Sequence, residues 1–255
     1  MNQAIGIDGC KGGWIMASLQ HNQLELSLKT AVDGIWEQVR DHQAVLIDIP
    51  IGLLEGENGQ SARLCDIEAR KMLGKRASSI FPVPCRQAVY VDPPAKETGW
   101  YSHWHQAVNQ LNKAHLGKGL PIQSLGIVSK IREVDECLQL HKAAQSVFLE
   151  AHPEWCFKLL KGQGLVHSKK TEEGQQERIA ILGNYIEQFT KSEAASYFKQ
   201  FQRSKVAKDD ILDAICLAVH AHLGQKYGFS AIGNERDKKG ISMSISYGNQ
   251  LSKRK

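Results

Sequence analysis

The chain has 255 residues, 42% of them hydrophobic, which is enough to bury a sizeable core in one large domain or two small ones and excludes disorder of the whole chain. A formal net charge of +5 tolerates a nucleic-acid partner without demanding one. No apolar run approaches the roughly 20 residues of a membrane span, and the opening MNQAIGIDG lacks a basic region followed by an apolar stretch, so a cytoplasmic protein with no membrane partner is expected. Cys10, Cys65, Cys85, Cys137, Cys156 and Cys216 form no C-x-x-C pair; they read as reduced, mostly packed thiols rather than a zinc ribbon or a disulfide framework.

In chain order, apolar runs at Ala4 to Ile7 and Trp14 to Leu19 and an alternating segment at Leu24 to Leu28 read as three strands. Gly12-Gly13 and His21-Asn22 between them suit short reversals, which predicts an antiparallel meander. A helix follows from about Val32 to Asp41, with Ile35, Trp36 and Val39 on one face. The run Ala44 to Ile49, bounded by Pro50, reads as a central strand paired parallel to the first. A helix is expected at Ser61 to Leu73, and Pro82, Pro84, Pro93, Pro94 and Pro121 punctuate loops. Val128 to Leu140 has helical spacing, Ser146 to Ala151 is short and strand-like, and two helices are expected at Thr171 to Phe189 and Lys208 to Leu223.

The resulting fold class is α/β, with a mixed five-stranded sheet in β-β-β-α-β-α-β-α order flanked by helices and a helical and loop insertion between strands four and five. The expected organisation is one domain over residues 1–232, with the insertion at about 54–144. A loosely ordered basic tail over 233–255, containing Lys238, Lys239, Lys253, Arg254 and Lys255, is expected to follow.

Asp8, in GIDGCKGGW, sits at the end of the first strand between glycines that let a ligand approach the backbone. Asp48, in VLIDIPIGL, ends the parallel strand. On neighbouring strands both carboxylates emerge at one edge of the sheet, where they repel unless a cation lies between them, so the pattern asks for a metal. In KDDILDAICLAVHAHL, Asp210 and Asp213 are three apart, which puts them on one helix face with about 5 to 6 Å between Cβ atoms. Asp209 or Asp210 equally suits an N-cap, whereas Asp213 lies a turn inside beside the apolar stripe and reads as a ligand. In FLEAHPEWCF, Glu150, His152 and Glu154 alternate, and an extended segment would aim them into the same cleft. His103 to His105 has no further ligands at zinc-finger spacing and reads as surface.

Strand-borne Asp8 and Asp48 with a late D-x-x-D-A helix resemble the ribonuclease H-like nucleases, particularly the Holliday-junction resolvase branch. More closely, GIDGCKGGW, IDIPIGL, RLCDIEARKMLGKRASSIF, EAHPE, SKKT and DDILDA resemble the family catalogued as domain of unknown function 429, regarded as predicted nucleases. That resemblance spans about residues 4 to 225. It implies a two-metal mechanism in which Mg²⁺ or Mn²⁺ ions about 3.5 to 4 Å apart activate water and stabilise the leaving oxygen of a phosphodiester. Asp8 would bridge both ions, Asp48 and Asp213 would each complete one shell, and Asp210 would be a further ligand or orient a water. Glu150 joins the expected catalytic set. Related nucleases usually carry Glu on the central strand; the shorter Asp48 here implies altered metal spacing or affinity. Resolvase-like relatives are often dimers, which implies a homodimer.

Lys11, Arg76, Lys130, Lys169 and Lys170 lie in or beside these motifs and are expected to contact the phosphates of DNA or RNA, the solvated surface being the alternative for each. Arg63, Arg70, Lys75 and Arg86 belong to the same set; Phe81, Tyr90 and Trp100 are read mainly as packing, with base stacking as the alternative. A competing reading is a small-molecule kinase or ATPase of the actin-like superfamily, since GIDGCKGG could cradle ATP phosphates, but no second Asp-Gly loop of that kind follows. A third is a non-catalytic nucleic-acid-binding member of the fold.

Overall fold

The computed structural model describes residues 3–56, 59–93 and 100–250. Pro94, the side chain of Trp100 and the basic residues Lys253, Arg254 and Lys255 lie outside the described residues. In chain order the elements are β1 (Ala4–Cys10), β2 (Gly13–Gln20), β3 (Gln23–Lys29), α1 (Val32–Val39), β4 (Val45–Asp48), α2 (Leu64–Leu73), α3 (Arg86–Val89), α4 (Trp100–Leu116), α5 (Ile122–Gly126) and α6 (Val128–Leu140). They continue with α7 (Ala144–Val147), β5 (Phe148–Glu150), α8 (Pro153–Lys161), α9 (Glu172–Leu182), α10 (Lys191–Lys199), α11 (Lys208–Tyr227), β6 (Phe229–Arg236) and β7 (Ser242–Gly248). The chain divides into two compact units: residues 1–49, 141–231 and 245–255 form the first, and residues 50–140 and 232–244 the second.

The first unit contains a mixed five-stranded sheet in the order β3-β2-β1-β4-β5. β1, β2 and β3 form the antiparallel meander that the apolar runs predict, and β4 pairs parallel with β1 and with β5. His21 and Asn22 both adopt positive φ, 48° and 64°, which gives the two-residue reversal a backbone twist matching the strands it joins. Helix α11 lies along β1, β2 and β4. Leu212, Ile215, Leu217 and Val219 from the helix share one buried cluster with Ala4, Ile15, Ala17 and Leu46 from the sheet. On the opposite face Trp36 of α1 meets Phe148 of β5, their ring centroids 6.1 Å apart.

The second unit holds α2 to α6. Here α3 packs against α4 and α6, with Val89, Val108, Ile131 and Val134 buried. At its centre is a buried ion network. Arg86 reaches Asp135 with one guanidinium nitrogen, Asp237 with another at 2.5 Å, and Glu55 with the third at 3.3 Å. Tyr90 donates its hydroxyl proton to Asp135 at 2.7 Å. Residues 233–248, expected to be loosely ordered, instead run through the β6 and β7 hairpin. Ile241, Met243 and Ile245 alternate and are buried, and Asp237 ties the turn by accepting the N–H groups of Lys239 and Ile241 at 2.8 and 2.9 Å. That short alternation, scattered among small polar residues, is what makes the segment resemble a tail in sequence. Among the described residues no helix is long and apolar enough to cross a membrane.

Candidate functional site

Asp8 and Asp48 are register partners on the parallel pair β1 and β4, so both side chains leave the sheet on the same face. Gly6, two residues before Asp8, faces the same way and lets α11 settle directly on the strand. That close approach brings Asp213, one turn into α11, to the two strand carboxylates. One oxygen from each of Asp8, Asp48 and Asp213 lies within 4.8 Å of the others. Asp8 and Asp213 are buried and Asp48 is half-buried.

Packing three carboxylates this closely disfavours their charged forms. Burial, then the charges of Asp48 and Asp213, push Asp8 well above the usual carboxylate range. Burial also lifts Asp48 to about 7, against the opposing pull of Lys169. The Lys169 ammonium donates to Asp213 Oδ2 at 2.7 Å and stands 3.7 Å from Asp209 Oδ2. Asp213 in turn holds that ammonium above the ordinary lysine range.

The family model described as "Protein of unknown function (DUF429)" matches residues 6–228. The chain belongs to the DUF429 family. Comparisons with curated proteins and with solved structures gave no significant match. The matched span of this DUF429 protein contains Asp8, Asp48, Lys169 and Asp213 together.

The donor set suits a small divalent cation. Octahedral Mg²⁺ with bonds of about 2.1 Å places its ligand oxygens about 3 to 4 Å apart, a separation these three carboxylates reach with little movement. All three donors are hard oxygens, as Mg²⁺ and Mn²⁺ prefer.

Other residues expected at the site are placed elsewhere in the DUF429 protein. Asp210 stands outside the set of three: its Oδ2 accepts the backbone N–H of Ala207 at 2.9 Å, closing the first turn of α11, while its charge still acts on Asp8. Burial, with the Asp209 charge adding to it, raises Asp210 to about 6 despite that hydrogen bond. Glu150 is not brought to the group. It is the register partner of Ile47, so pleating sends it to the face opposite Asp8 and Asp48. The expected alternation through His152 and Glu154 stops because Pro153 opens α8, with His152 at its N-cap. Glu154 lies inside that helix and pairs with buried Arg178 at 2.7 Å.

Of the expected phosphate contacts, Lys169 is the cation whose charge acts on Asp8, Asp48 and Asp210. Lys11, on the β1–β2 turn, and Lys170 are exposed. Arg76 and Lys130 are half-buried and belong to the second unit. Arg63, Arg70 and Arg86 are engaged internally, with Asp66, the Ile80 carbonyl and the ion network respectively. Trp104 and His105, expected at the surface, are buried, while His103 is exposed.

A feature the sequence reading passes over lies between α10 and α11, where Phe198, Phe201, Lys199, Arg203 and Lys208 line a shallow groove. The Lys208 ammonium sits 5.3 Å from the centre of the Phe198 ring. The same connection is tied to the β1–β2 turn by Gly12 N–H donating to the Lys205 carbonyl at 2.8 Å. Interleaved aromatic and basic residues in FKQFQRSK carry the signal in sequence.

Proposed function

We propose that this DUF429 protein is a divalent-metal-dependent nuclease of ribonuclease H-like fold that hydrolyses phosphodiester bonds in DNA or RNA. The convergence of Asp8, Asp48 and Asp213 on one sheet edge, with Lys169 beside them, carries the reading. The strand order β3-β2-β1-β4-β5, with carboxylates on β1, β4 and a late helix, supports the fold assignment.

Asp8, Asp48 and Asp213 would hold Mg²⁺ or Mn²⁺. Bound there, the metal would supply Lewis-acid polarisation of a phosphoryl oxygen and a more acidic bound water. Lys169 would contribute positive charge to a phosphate drawn against the carboxylates, as a fixed donor that needs no reorganisation during reaction. The groove of Phe198, Phe201, Lys199, Arg203 and Lys208 supports a nucleic-acid substrate: its cations suit a phosphate backbone and its rings offer stacking faces.

The test is calorimetric titration of Mg²⁺ and Mn²⁺ into wild type, Asp8→Asn and Asp213→Asn, with the same samples assayed on single- and double-stranded DNA and RNA. The proposal expects metal-dependent cleavage by wild type and loss of both binding and cleavage in the variants, whose side chains keep their size but lose their charge. A wild-type protein that binds neither ion overturns it.

A further inference from the structure

We infer that Lys169 is a built-in counter-cation of the carboxylate group, so that the site takes one divalent ion per chain rather than two. The inference rests on the metal reading above and deepens it. Two closely spaced ions need a set of carboxylates wrapping both, and among the described residues fewer converge. Three oxygens meet. Asp210, the fourth expected ligand, gives one oxygen to the Ala207 N–H, and Glu150 leaves from the other face of the sheet. Against Asp213 a positive charge is already seated: the Lys169 ammonium, 2.7 Å from its Oδ2 and 3.7 Å from Asp209 Oδ2. Once ionised to take a cation, the three carboxylates with the one ammonium carry a formal charge of −2, which one divalent ion neutralises.

Holding a lysine in one place costs rotamer entropy, and the chain around Lys169 is built to limit that loss. The segment before it is pinned by Glu177, whose carboxylate accepts the N–H groups of Val166 and His167, each at 3.0 Å, and the Lys161 ammonium at 2.6 Å. After it, Thr171 donates its hydroxyl to the Ser168 carbonyl and accepts the Gly174 N–H, both at 3.1 Å. Gly174 lies so close beneath this segment that a Cβ would stand 1.8 Å from the Ser168 carbonyl oxygen. Buried Arg178 braces the same turn, donating to the Gly174 carbonyl at 3.1 Å and to Glu154 at 2.7 Å. Helix α9 therefore fixes the backbone on both sides of Lys169, and the side chain has only its own length to span to Asp213.

The measurement is Mn²⁺ binding to nucleic-acid-free protein, by calorimetry and by the electron paramagnetic resonance of free Mn²⁺, for wild type, Lys169→Met and Lys169→Arg. The expected result is one ion in wild type, binding at least about tenfold tighter in Lys169→Met because a neighbouring positive charge is gone, and wild-type affinity in Lys169→Arg. Lys169 is partly exposed, so both variants should fold. Two ions in wild type, or an affinity in Lys169→Met that is unchanged or weaker, overturns the inference and leaves the nuclease reading standing. No Mn²⁺ bound by wild type removes both.

Discussion

Gly6 and Ala214 lie so close that a Cβ on the glycine would stand 2.2 Å from the Ala214 carbonyl oxygen, and equally near the Ala218 nitrogen. The contact is backbone against backbone, so no side chain can swing aside to relieve an added methyl. Gly6→Ala should therefore destabilise the protein by about 3 kcal/mol or more, at the upper end of ordinary overpacking. Because the same contact sets Asp213 beside Asp8, folded Gly6→Ala should also bind Mn²⁺ more weakly. Urea unfolding and calorimetry check the two effects; a variant with wild-type stability would mean that α11 does not rest on β1 as described.

The carboxylates give the metal-free protein a pH dependence opposite to that of a salt-bridged acid. Asp48 titrates at about 7 in the folded chain, against an unfolded value near 3.9. Its contribution to stability is therefore complete below about pH 4 and is lost as the pH rises towards 7. Relative to wild type, Asp48→Asn should raise the melting temperature of metal-free protein at pH 7.5 and leave it almost unchanged at pH 4. Added Mg²⁺ should stabilise wild type more at pH 8 than at pH 6, since the ion binds the ionised form, and should do little for the variant. Thermal melts at several pH values, with and without Mg²⁺, decide both points.

Removing cations from the α10–α11 groove should weaken nucleic-acid binding with little regard to sequence. Arg203→Ala and Lys208→Ala are each expected to lower the slope of log K against log salt by about 1, without changing Mn²⁺ affinity. Fluorescence anisotropy with a labelled single strand at several salt concentrations measures it, and slopes identical to wild type would place the strand elsewhere.

In the second unit, Arg86 is the cation that stands among three acidic groups, Asp135, Asp237 and Glu55. Arg86→Met removes it and leaves two fully buried carboxylates without it, a change that costs about 3 to 5 kcal/mol at comparable sites. Hydrogen exchange should accordingly show loss of protection over residues 50–140. Protection equal to wild type would show that the network contributes little.

Much of the first unit is legible in the sequence because its strands announce themselves by apolar continuity. Ala4 to Ile7 and Val45 to Ile47 are buried on both faces, and their pairing as parallel neighbours follows from the helix between them. Asp8, Asp48 and Asp213 interrupt such patterns, and a charge at a strand end or beside an apolar helical stripe is conspicuous. Helices α4 and α10 escape a reading by periodicity because their apolar residues are diluted by polar and aromatic ones, α8 falls where an extended segment is expected, and α3, α5 and α7 are too short to show a period.

What the sequence determines by itself is local: which segments alternate or run apolar, which turns need positive φ, and which carboxylates stand at the ends of such segments, since each follows from the geometry of a few consecutive residues. Tertiary structure decides the rest. Asp209 and Asp210 suit the start of α11 equally until the N–H of Ala207 bonds to Asp210. Glu150 could face either side of the sheet until pairing with β4 sets its register. Lys169 meets Asp213 across 44 residues of chain, because α9 pins its loop and Gly6 lets α11 lie against β1. Such meetings depend on long-range packing, and no local pattern of residues encodes them.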